Sequence, residues 1–143
     1  VRALGIDLGS KRIGVATSDR SGTIATPLTV LKRSGSRETD YQAIAELVTE
    51  YEIECVVVGL PLHMNGNYGD AAKSAVAEVQ QLTSVLSVPV LTFDERRTTV
   101  TADNILIEQN MNAQERRKVI DKVAAAVMLQ SWLDGRKMTE SNS

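Results

Sequence analysis

A continuous apolar run in the middle of the chain constrains the fold most. Residues 55 to 60 read Cys-Val-Val-Val-Gly-Leu, and Pro61 ends the run. A strand that is apolar at every position is typical of burial on both faces, because a half-exposed strand would alternate apolar and polar residues. We therefore expect this strand to lie inside a sheet that helices cover on both sides.

Strand patterns before this run indicate where the sheet begins. We expect strands at Ala3 to Leu8, at Arg12 to Ser18 and at about Ile24 to Lys32. Gly9-Ser10-Lys11 between the first two strands is a hairpin signature, so these strands should pair in antiparallel fashion. The third strand contains Pro27, which cannot donate a backbone hydrogen bond and therefore predicts an edge strand or a bulge.

Helical spacing of apolar residues appears on both sides of the central run. The two stripes are Tyr41, Ile44, Ala45, Leu47, Val48 and Tyr51 before it, and Ala72, Val76, Val79, Leu82 and Leu86 after it. A short strand follows at Val88 to Phe93. We then expect one helix from a cap at Thr98 or Thr99 to about Gln109, and a final helix from about Ala113 to near Gly135. The order βββαβαβα predicts an α/β fold, with a mixed five-stranded sheet and helices on both faces.

Length and composition limit the classes of function. The chain has 143 residues, and we expect one domain over residues 1–137 with a disordered tail from Met138 to Ser143. A net charge of −2 and 3% aromatic residues argue against a polycation that coats nucleic acid and against rows of stacked bases. Any anion-binding surface must then be local. No run could span a membrane and no signal peptide precedes the first strand, so we expect a cytoplasmic protein.

An acidic residue lies near the end of the first strand. The apolar residues of this strand alternate, which places Asp7 on the opposite face, among small residues. A carboxylate there is costly to bury unless a positive partner such as a metal ion meets it. An aspartate that caps its own turn is the alternative. The segment alone does not decide between the two.

Two further acidic positions stand out. Asp94 and Glu95 directly follow the last predicted strand, at the kind of strand end where α/β sheets bind ligands, although an ordinary charged connection would look the same. Asp121 heads a helical stripe that continues with the small residues Ala124 and Ala125. This stripe is not typical of a solvated helix face. The final helix should therefore pack unusually close to another element.

These positions lead to one hypothesis about the site. Small residues cover one face of the first two strands: Ala3, Gly5, Gly14, Ala16 and Ser18. The final helix could lie on this face and bring Asp121 beside Asp7. With Glu95, three carboxylates would meet at one edge of the sheet. Mg²⁺ prefers such oxygen ligands, and two ions of this kind can activate water and stabilise the leaving oxygen of a phosphodiester.

Basic residues accompany each acidic position. They are Lys11 and Arg12 after Asp7, Arg96 and Arg97 after Glu95, and Arg116, Arg117, Lys118 and Lys122 around Asp121. A run of charge is usually a solvated face, but an anionic polymer that crosses the site would require cations placed in this way. We therefore expect these residues to bind nucleic acid, with Arg96 or Arg12 holding a phosphate.

Four segments, taken in order, resemble the YqgF/RuvX family of the RNase H-like superfamily. They are Asp7 to Val15, Val58 to Leu62 with Asn65-Gly66 after it, Asp94 to Thr99, and Lys118 to Ala125. The resemblance covers nearly the whole chain. It implies an RNase H-like fold and metal-dependent phosphodiester hydrolysis, with Asp7, Glu95 and Asp121 at the positions of an acidic triad. It also implies Mg²⁺ or Mn²⁺ as cofactor, with two ions expected.

The resemblance leaves the substrate open. Family members are described as Holliday junction resolvases and as nucleases that trim the 5′ end of pre-16S rRNA, which implies branched DNA or structured RNA as partner. A resolvase should be a homodimer, because a symmetric junction needs two active sites, whereas a trimming enzyme could work as a monomer. A non-catalytic nucleic-acid-binding factor in ribosome assembly is the alternative. An ATP-binding domain of the actin type is disfavoured, because that fold needs two such domains.

Overall fold

Five strands form one mixed sheet in the computed structural model, which describes residues 1–100 and 113–141 and, beyond residue 113, the side chains of residues 120–136. The strands are β1 (Ala3–Leu8), β2 (Arg12–Ser18), β3 (Ala25–Lys32), β4 (Cys55–Leu60) and β5 (Val90–Asp94). They lie in the order β3-β2-β1-β4-β5, with β1 antiparallel to β2 and parallel to β4. The predicted mixed α/β sheet is confirmed.

The helices of the described residues pack on this sheet. They are α1 (Arg37–Glu50), α2 (Asp70–Val85) and α3 (Ala113–Ser141), and a single 3₁₀ turn at Glu95–Arg97 follows β5. Ser36 begins α1, because its side-chain oxygen accepts a hydrogen bond from the Thr39 backbone N–H at 3.3 Å. Within the described part of the chain, no helix combines the length and the apolar character needed to cross a membrane.

The central and edge strands lie where the sequence places them. β4 is buried at every position and has parallel neighbours on both sides, as its unbroken apolar run predicts. β3 lies at one edge of the sheet. Its pairing with β2 changes register between Val15 and Ala16, whose partners are Thr29 and Pro27. Pro27 therefore lies in an edge strand and beside an irregularity, and both expectations are met.

Each face of the sheet carries its own core. The core under α1 and α2 includes Leu4, Ile6, Val56 and Val58 of the sheet with Ile44 and Leu82 of the helices. The core under α3 includes Ala3, Ala16 and Val57 of the sheet with Ala125, Leu129 and Leu133 of the helix. Helices on both faces are thus confirmed. The sheet contributes smaller side chains to the second core, which allows α3 to approach it closely.

α3 lies directly on the small-residue face of β1 and β2. A Cβ atom at Gly5 would lie 2.9 Å from the Cβ of Leu129, and one at Gly14 would lie 2.0 Å from the carbonyl oxygen of Asp121. Both distances are below the 3.0 Å that real Cβ atoms essentially always keep, so glycine is required for this close approach. The predicted packing of the final helix is confirmed.

The last helix is longer than the sequence pattern predicts. α3 continues through Gly135 to Ser141, so the end predicted near Gly135 is wrong, and residues 138–141 of the predicted disordered tail are helical. A glycine inside a helix costs only about 1 kcal/mol relative to alanine. Arg, Lys and Met directly follow it and are good helix formers, which allows the helix to continue.

The helix predicted to start at Thr98 or Thr99 does not start there. Residues 98–100 are irregular. The backbone N–H groups of Thr99 and Val100 donate instead to the side-chain oxygen of Ser131 in α3, at 3.1 and 3.4 Å. These bonds tie the segment after the 3₁₀ turn to α3. The rest of that predicted helix, to about Gln109, lies outside the described residues.

Candidate active site

Asp7 lies near the C-terminal end of β1, inside the sheet. Its partner across the β1–β2 pair is Gly14, and Gly14 is the residue against which the backbone of Asp121 packs. The fold therefore brings Asp121 to the neighbourhood of Asp7. Burial raises the pKa of the half-buried Asp7 carboxyl, and the negative charge of Asp121 raises it further.

Glu95 reaches the same edge of the sheet from the turn that follows β5. Asp94 caps this turn by accepting a hydrogen bond from the Arg96 backbone N–H at 3.0 Å. The side chain of Glu95 then lies across Gly59 of β4, where a Cβ atom would be 2.6 Å from Glu95 Oε1. Burial raises the pKa of Glu95, and the charges of Asp7 and Asp94 add to this rise.

The negative charge of Asp121 thus acts on Asp7, and that of Asp7 acts on Glu95. Among the described residues, no N–H or O–H group lowers the pKa of Asp7 or Glu95 by a hydrogen bond, and neither forms an ion pair. These two carboxyls are therefore half-buried without a described cation beside them. Since hard divalent cations prefer carboxylate oxygens, the donor set suits such an ion chemically.

Asp121 differs from the other two because it already has a cationic partner. Arg12 Nε donates to Asp121 Oδ2 at 2.8 Å. In the portion of the chain that the structure describes, no group of three or more His, Cys, Asp or Glu side chains is arranged to hold a metal ion. Arg12 therefore occupies one oxygen of Asp121 and would compete for it with a metal ion held by the three carboxylates.

Arg96 is also paired with a carboxylate. Its guanidinium donates to both oxygens of Asp94, and this hydrogen bonding holds the pKa of Asp94 below its usual range. The loop between β4 and α2 lies against the same guanidinium, with Gly66 close to it. His63 of this loop is exposed. A phosphate-binding role for Arg96 stays a prediction, because in the structure its guanidinium contacts Asp94 of the same turn.

The other predicted basic residues lie at several places around the acidic edge. Lys11 is exposed in the β1–β2 turn, Arg97 is exposed in the 3₁₀ turn, and Lys122 is half-buried in α3 next to Asp121. Arg116, Arg117 and Lys118 belong to the helical backbone of α3, and their side chains lie outside those described. Nucleic-acid binding by all of these residues stays a prediction.

One buried cluster beside the site was not predicted from the sequence. Arg33, directly after β3, donates from Nε to the carbonyl oxygen of Gly9 at 2.7 Å. The same guanidinium donates to both carboxylate oxygens of Glu78 in α2, at 2.8 and 2.9 Å. The Tyr41 hydroxyl of α1 donates to Glu78 Oε1 at 2.7 Å. The cluster therefore fixes the turn after Asp7 to both helices on that face.

The chemistry of Glu78 follows from its partners. Its burial alone would raise its pKa, but the hydrogen bonds from Arg33 and Tyr41 outweigh burial and lower it. Burial, with the hydrogen bond to Glu78, raises the pKa of Tyr41. Glu78 lies between Ala75 and Leu82 on the buried side of α2. A carboxylate on that apolar stripe is the sequence signal that could have pointed to a buried ion pair.

The sheet order and the acidic edge are those of one class of proteins, which share the RNase H-like α/β fold. A solved structure of Thermus thermophilus RuvC matches with a TM-score of 0.62 and 15% sequence identity, over 97% of this chain and 98% of that one. Thermus thermophilus RuvC in complex with a Holliday junction substrate matches with a TM-score of 0.61 and 16% identity, over 97% of both chains. Identity at this level carries the fold alone.

Sequence comparisons identify the family. A family model described as "RuvX: Holliday junction resolvase" matches residues 1–135, so the chain belongs to the RuvX family. A relative from Caldanaerobacter subterraneus is 47% identical and one from Thermoanaerobacter pseudethanolicus is 44% identical, each over 96% of this chain and 99% of the relative. Both relatives are named "Putative pre-16S rRNA nuclease". The resemblance stated from the four sequence segments is confirmed.

Proposed function

We propose that this chain is a metal-dependent nuclease that hydrolyses phosphodiester bonds in nucleic acid, with Asp7, Glu95 and Asp121 as its acidic centre. The observation that carries this proposal is the pair of half-buried carboxyls, Asp7 and Glu95, which interact with each other and lack a described cation. Membership of the RuvX family and the names of the relatives support the reaction class.

Asp7, Glu95 and Asp121 are the residues that would hold Mg²⁺ or Mn²⁺, and two ions are proposed. Such ions supply an activated water and stabilise the leaving oxygen of a phosphodiester. A fully solvated carboxyl would gain little from a cation. By contrast, Asp7 and Glu95 have lost part of their hydration to burial, so a cation restores favourable interactions that the fold itself does not provide.

The chain's own groups have separate tasks in this proposal. Gly14 and Gly59 give the backbone of Asp121 and the side chain of Glu95 room beside the sheet. Arg33 holds the turn that follows Asp7 through the Gly9 carbonyl. Arg12 orients Asp121, and its remaining N–H groups are available for a phosphate oxygen when it leaves that carboxylate.

The substrate proposed is the 5′ region of pre-16S rRNA, after the names that the two relatives carry. A Holliday junction is the second substrate to test, because the family model and the RuvC complex name it. The two substrates make different demands on assembly. A symmetric junction requires a two-fold pair of active sites, whereas a single chain suffices to trim an RNA end.

The proposal is tested by cleavage of both substrates side by side, a pre-16S 5′ leader RNA and a four-way DNA junction, with Mg²⁺ or Mn²⁺ and in chelator. The variant is Asp7→Asn, which removes the charge and keeps the shape. Asp134→Asn, at an exposed position of α3, is the matched control. We expect cleavage only with metal and its loss in Asp7→Asn alone. Undiminished metal-dependent cleavage by Asp7→Asn would reject the assignment of the site.

A further inference from the structure

A second feature lies beside the acidic centre, at the same end of the sheet. A cleft of about 1030 Å³ opens between the β1–β2 turn, the segment after β3 and the helices α1 and α2. Its basic lining residues are Lys11, Arg12, Lys32, Arg33 and Arg37. Among the described residues of this lining, Val30 alone has an aliphatic side chain. Five basic residues line the cleft against two acidic ones, Asp40 and Glu78, so the net charge of the lining is positive and favours an anionic ligand.

The two carboxylates in the cleft neutralise only part of its positive charge. Glu78 is buried and already accepts hydrogen bonds from both Arg33 and Tyr41. Asp40 is buried as well, and it accepts from the backbone N–H and the hydroxyl of Ser34, at 3.0 and 2.9 Å. Both acidic side chains are therefore buried and already paired, which leaves exposed basic side chains at the rim of the cleft.

Three exposed cations form this rim. Among the described residues, Lys11, Lys32 and Arg37 form no ion pair with a carboxylate. In the described part of the chain, Arg37 donates to the neutral amide oxygen of Gln81, at 3.3 Å, and its charge acts on Glu78 without a direct ion pair. When a cation without a carboxylate partner binds a phosphate of a nucleic acid, it displaces the counterions that were condensed on that nucleic acid.

Basic residues connect the rim to the acidic centre. Lys32 is the cross-strand partner of Arg12, so the two side chains start from neighbouring points at the end of the sheet. Arg12 in turn contacts Asp121. A chain of cations therefore leads from the Asp121 carboxylate through Arg12 and Lys32 to the start of α1.

We propose that this cleft binds the sugar–phosphate backbone of the nucleic-acid strand next to the cleaved bond, through Lys11, Lys32 and Arg37. This inference rests on the proposed nuclease function, because it identifies where the same substrate continues beyond the acidic centre. Among the described residues that line the cleft none is aromatic, so the lining is suited to contact phosphates rather than to stack bases. Binding there is independent of sequence and sensitive to salt.

The test measures binding separately from cleavage. Fluorescence anisotropy in chelator gives the Kd of a labelled single-stranded RNA and of a DNA of the same sequence, at several salt concentrations. The variants are Lys32→Ala and Arg37→Ala, both at exposed positions. Arg20→Ala is the matched control, because Arg20 is an exposed cation that follows the opposite end of β2.

Each cleft variant should raise Kd about threefold and lower the slope of log K against log salt by roughly 0.7, the value for one phosphate contact on a single strand. Arg20→Ala should change neither quantity. An effect on RNA alone would place a 2′-hydroxyl contact in the cleft. Unchanged Kd and slope in both cleft variants, with a folded protein by circular dichroism, would overturn the inference.

The outcomes distinguish this inference from the proposed function. If Asp7→Asn abolishes cleavage while the cleft variants bind like the unmodified protein, the nuclease stands and the cleft assignment fails. If Asp7→Asn cleaves normally while the cleft variants lose one phosphate contact each, the acidic centre is assigned wrongly and the binding cleft stands.

Discussion

The backbone of Asp121 lies directly on Gly14, so closely that a Cβ atom on Gly14 would be 2.0 Å from the Asp121 carbonyl oxygen. Gly14 is also the cross-strand partner of Asp7. One glycine therefore sets how closely the helix that carries one carboxylate approaches the strand that carries another. The geometry of the acidic edge depends on this absence of a side chain.

Replacing Gly14 by alanine should displace α3 and damage both stability and activity. A backbone carbonyl in a packed helix cannot move aside as a flexible side chain can, so we expect a loss of about 3 kcal/mol in the free energy of unfolding. Urea unfolding measures this loss. Gly135→Ala is the control, because among the described residues no atom beyond its chain neighbours and the adjacent helix backbone lies within 4 Å of its Cβ position, and it should stabilise α3 by about 1 kcal/mol. Equal stability of the two variants would contradict the packing described.

Replacing Gly59 by alanine should damage activity far more than stability. The atoms that the new Cβ would meet belong to the Glu95 side chain, with Oε1 at 2.6 Å and Cγ and Cδ at 3.2 Å. This side chain can turn away at little cost to the fold. Since a displacement of about 1 Å at an active site can cost roughly 100-fold in rate, we expect cleavage to fall by about that factor. Thermal unfolding and cleavage rates measured on one preparation check this, and normal cleavage would argue against a role for Glu95.

The ion pair of Glu78 with Arg33 predicts how stability depends on pH. The folded-state pKa of Glu78 is lowered from its ordinary value of 4.5, because hydrogen bonds from Arg33 and Tyr41 outweigh burial. A group with a lowered folded pKa stabilises the protein fully above its unfolded pKa, and that stability is lost as pH falls through the folded pKa. The stability that Glu78 contributes should thus be fully present at pH 7 and be lost progressively as the pH falls below 4.5.

Glu78→Gln tests this dependence. It should cost about 3 kcal/mol at pH 7, because Arg33 is left without its partner, and the cost should shrink in acid. Urea unfolding at both pH values measures it. Glu52→Gln, in the exposed pair with Arg20, should change stability by no more than about 0.5 kcal/mol at either pH. A cost for Glu78→Gln that stays constant down to acid pH would contradict the lowered pKa.

Removing Arg12 should strengthen metal binding. Arg12 is a cation that occupies one oxygen of Asp121, so it competes with any metal ion for that carboxylate. The pair is 48% and 23% exposed and therefore adds little to stability. We expect Arg12→Ala to lower the Kd for Mn²⁺ several-fold, measured by calorimetry. A higher Kd would indicate that Arg12 helps the site to bind metal.

Much of the fold could be predicted because strong local patterns decide it. Alternation in β1, the hairpin signature before β2 and the unbroken run in β4 correctly gave the bounds of those strands. The end of α3 could not be predicted from Gly135, because one glycine costs a helix only about 1 kcal/mol and good helix formers follow it.

The candidate site was predictable to a different extent. The glycines at positions 5 and 14 correctly indicated where α3 packs, because a helix that approaches a sheet closely requires small residues at the points of contact. The pairing of Arg33 with Glu78 joins segments that are far apart in the sequence. Its only signal in the sequence is Glu78, a charged residue within the apolar stripe of α2. Likewise, spacing alone could not indicate that Arg12 and Arg96 are engaged by carboxylates, because ion pairs depend on side-chain directions.

In the proposed function, one acidic centre carries metal-dependent cleavage. The most direct measurement is the single-turnover rate of leader RNA cleavage in saturating Mg²⁺, for the unmodified protein, Asp7→Asn, Glu95→Gln, Asp121→Asn and the double variant Asp7→Asn/Glu95→Gln. Residues that act as one unit are not additive, so each single variant should lose at least about 100-fold and the double variant little more. Near-normal rates in the single variants, or losses that simply multiply, would contradict the account.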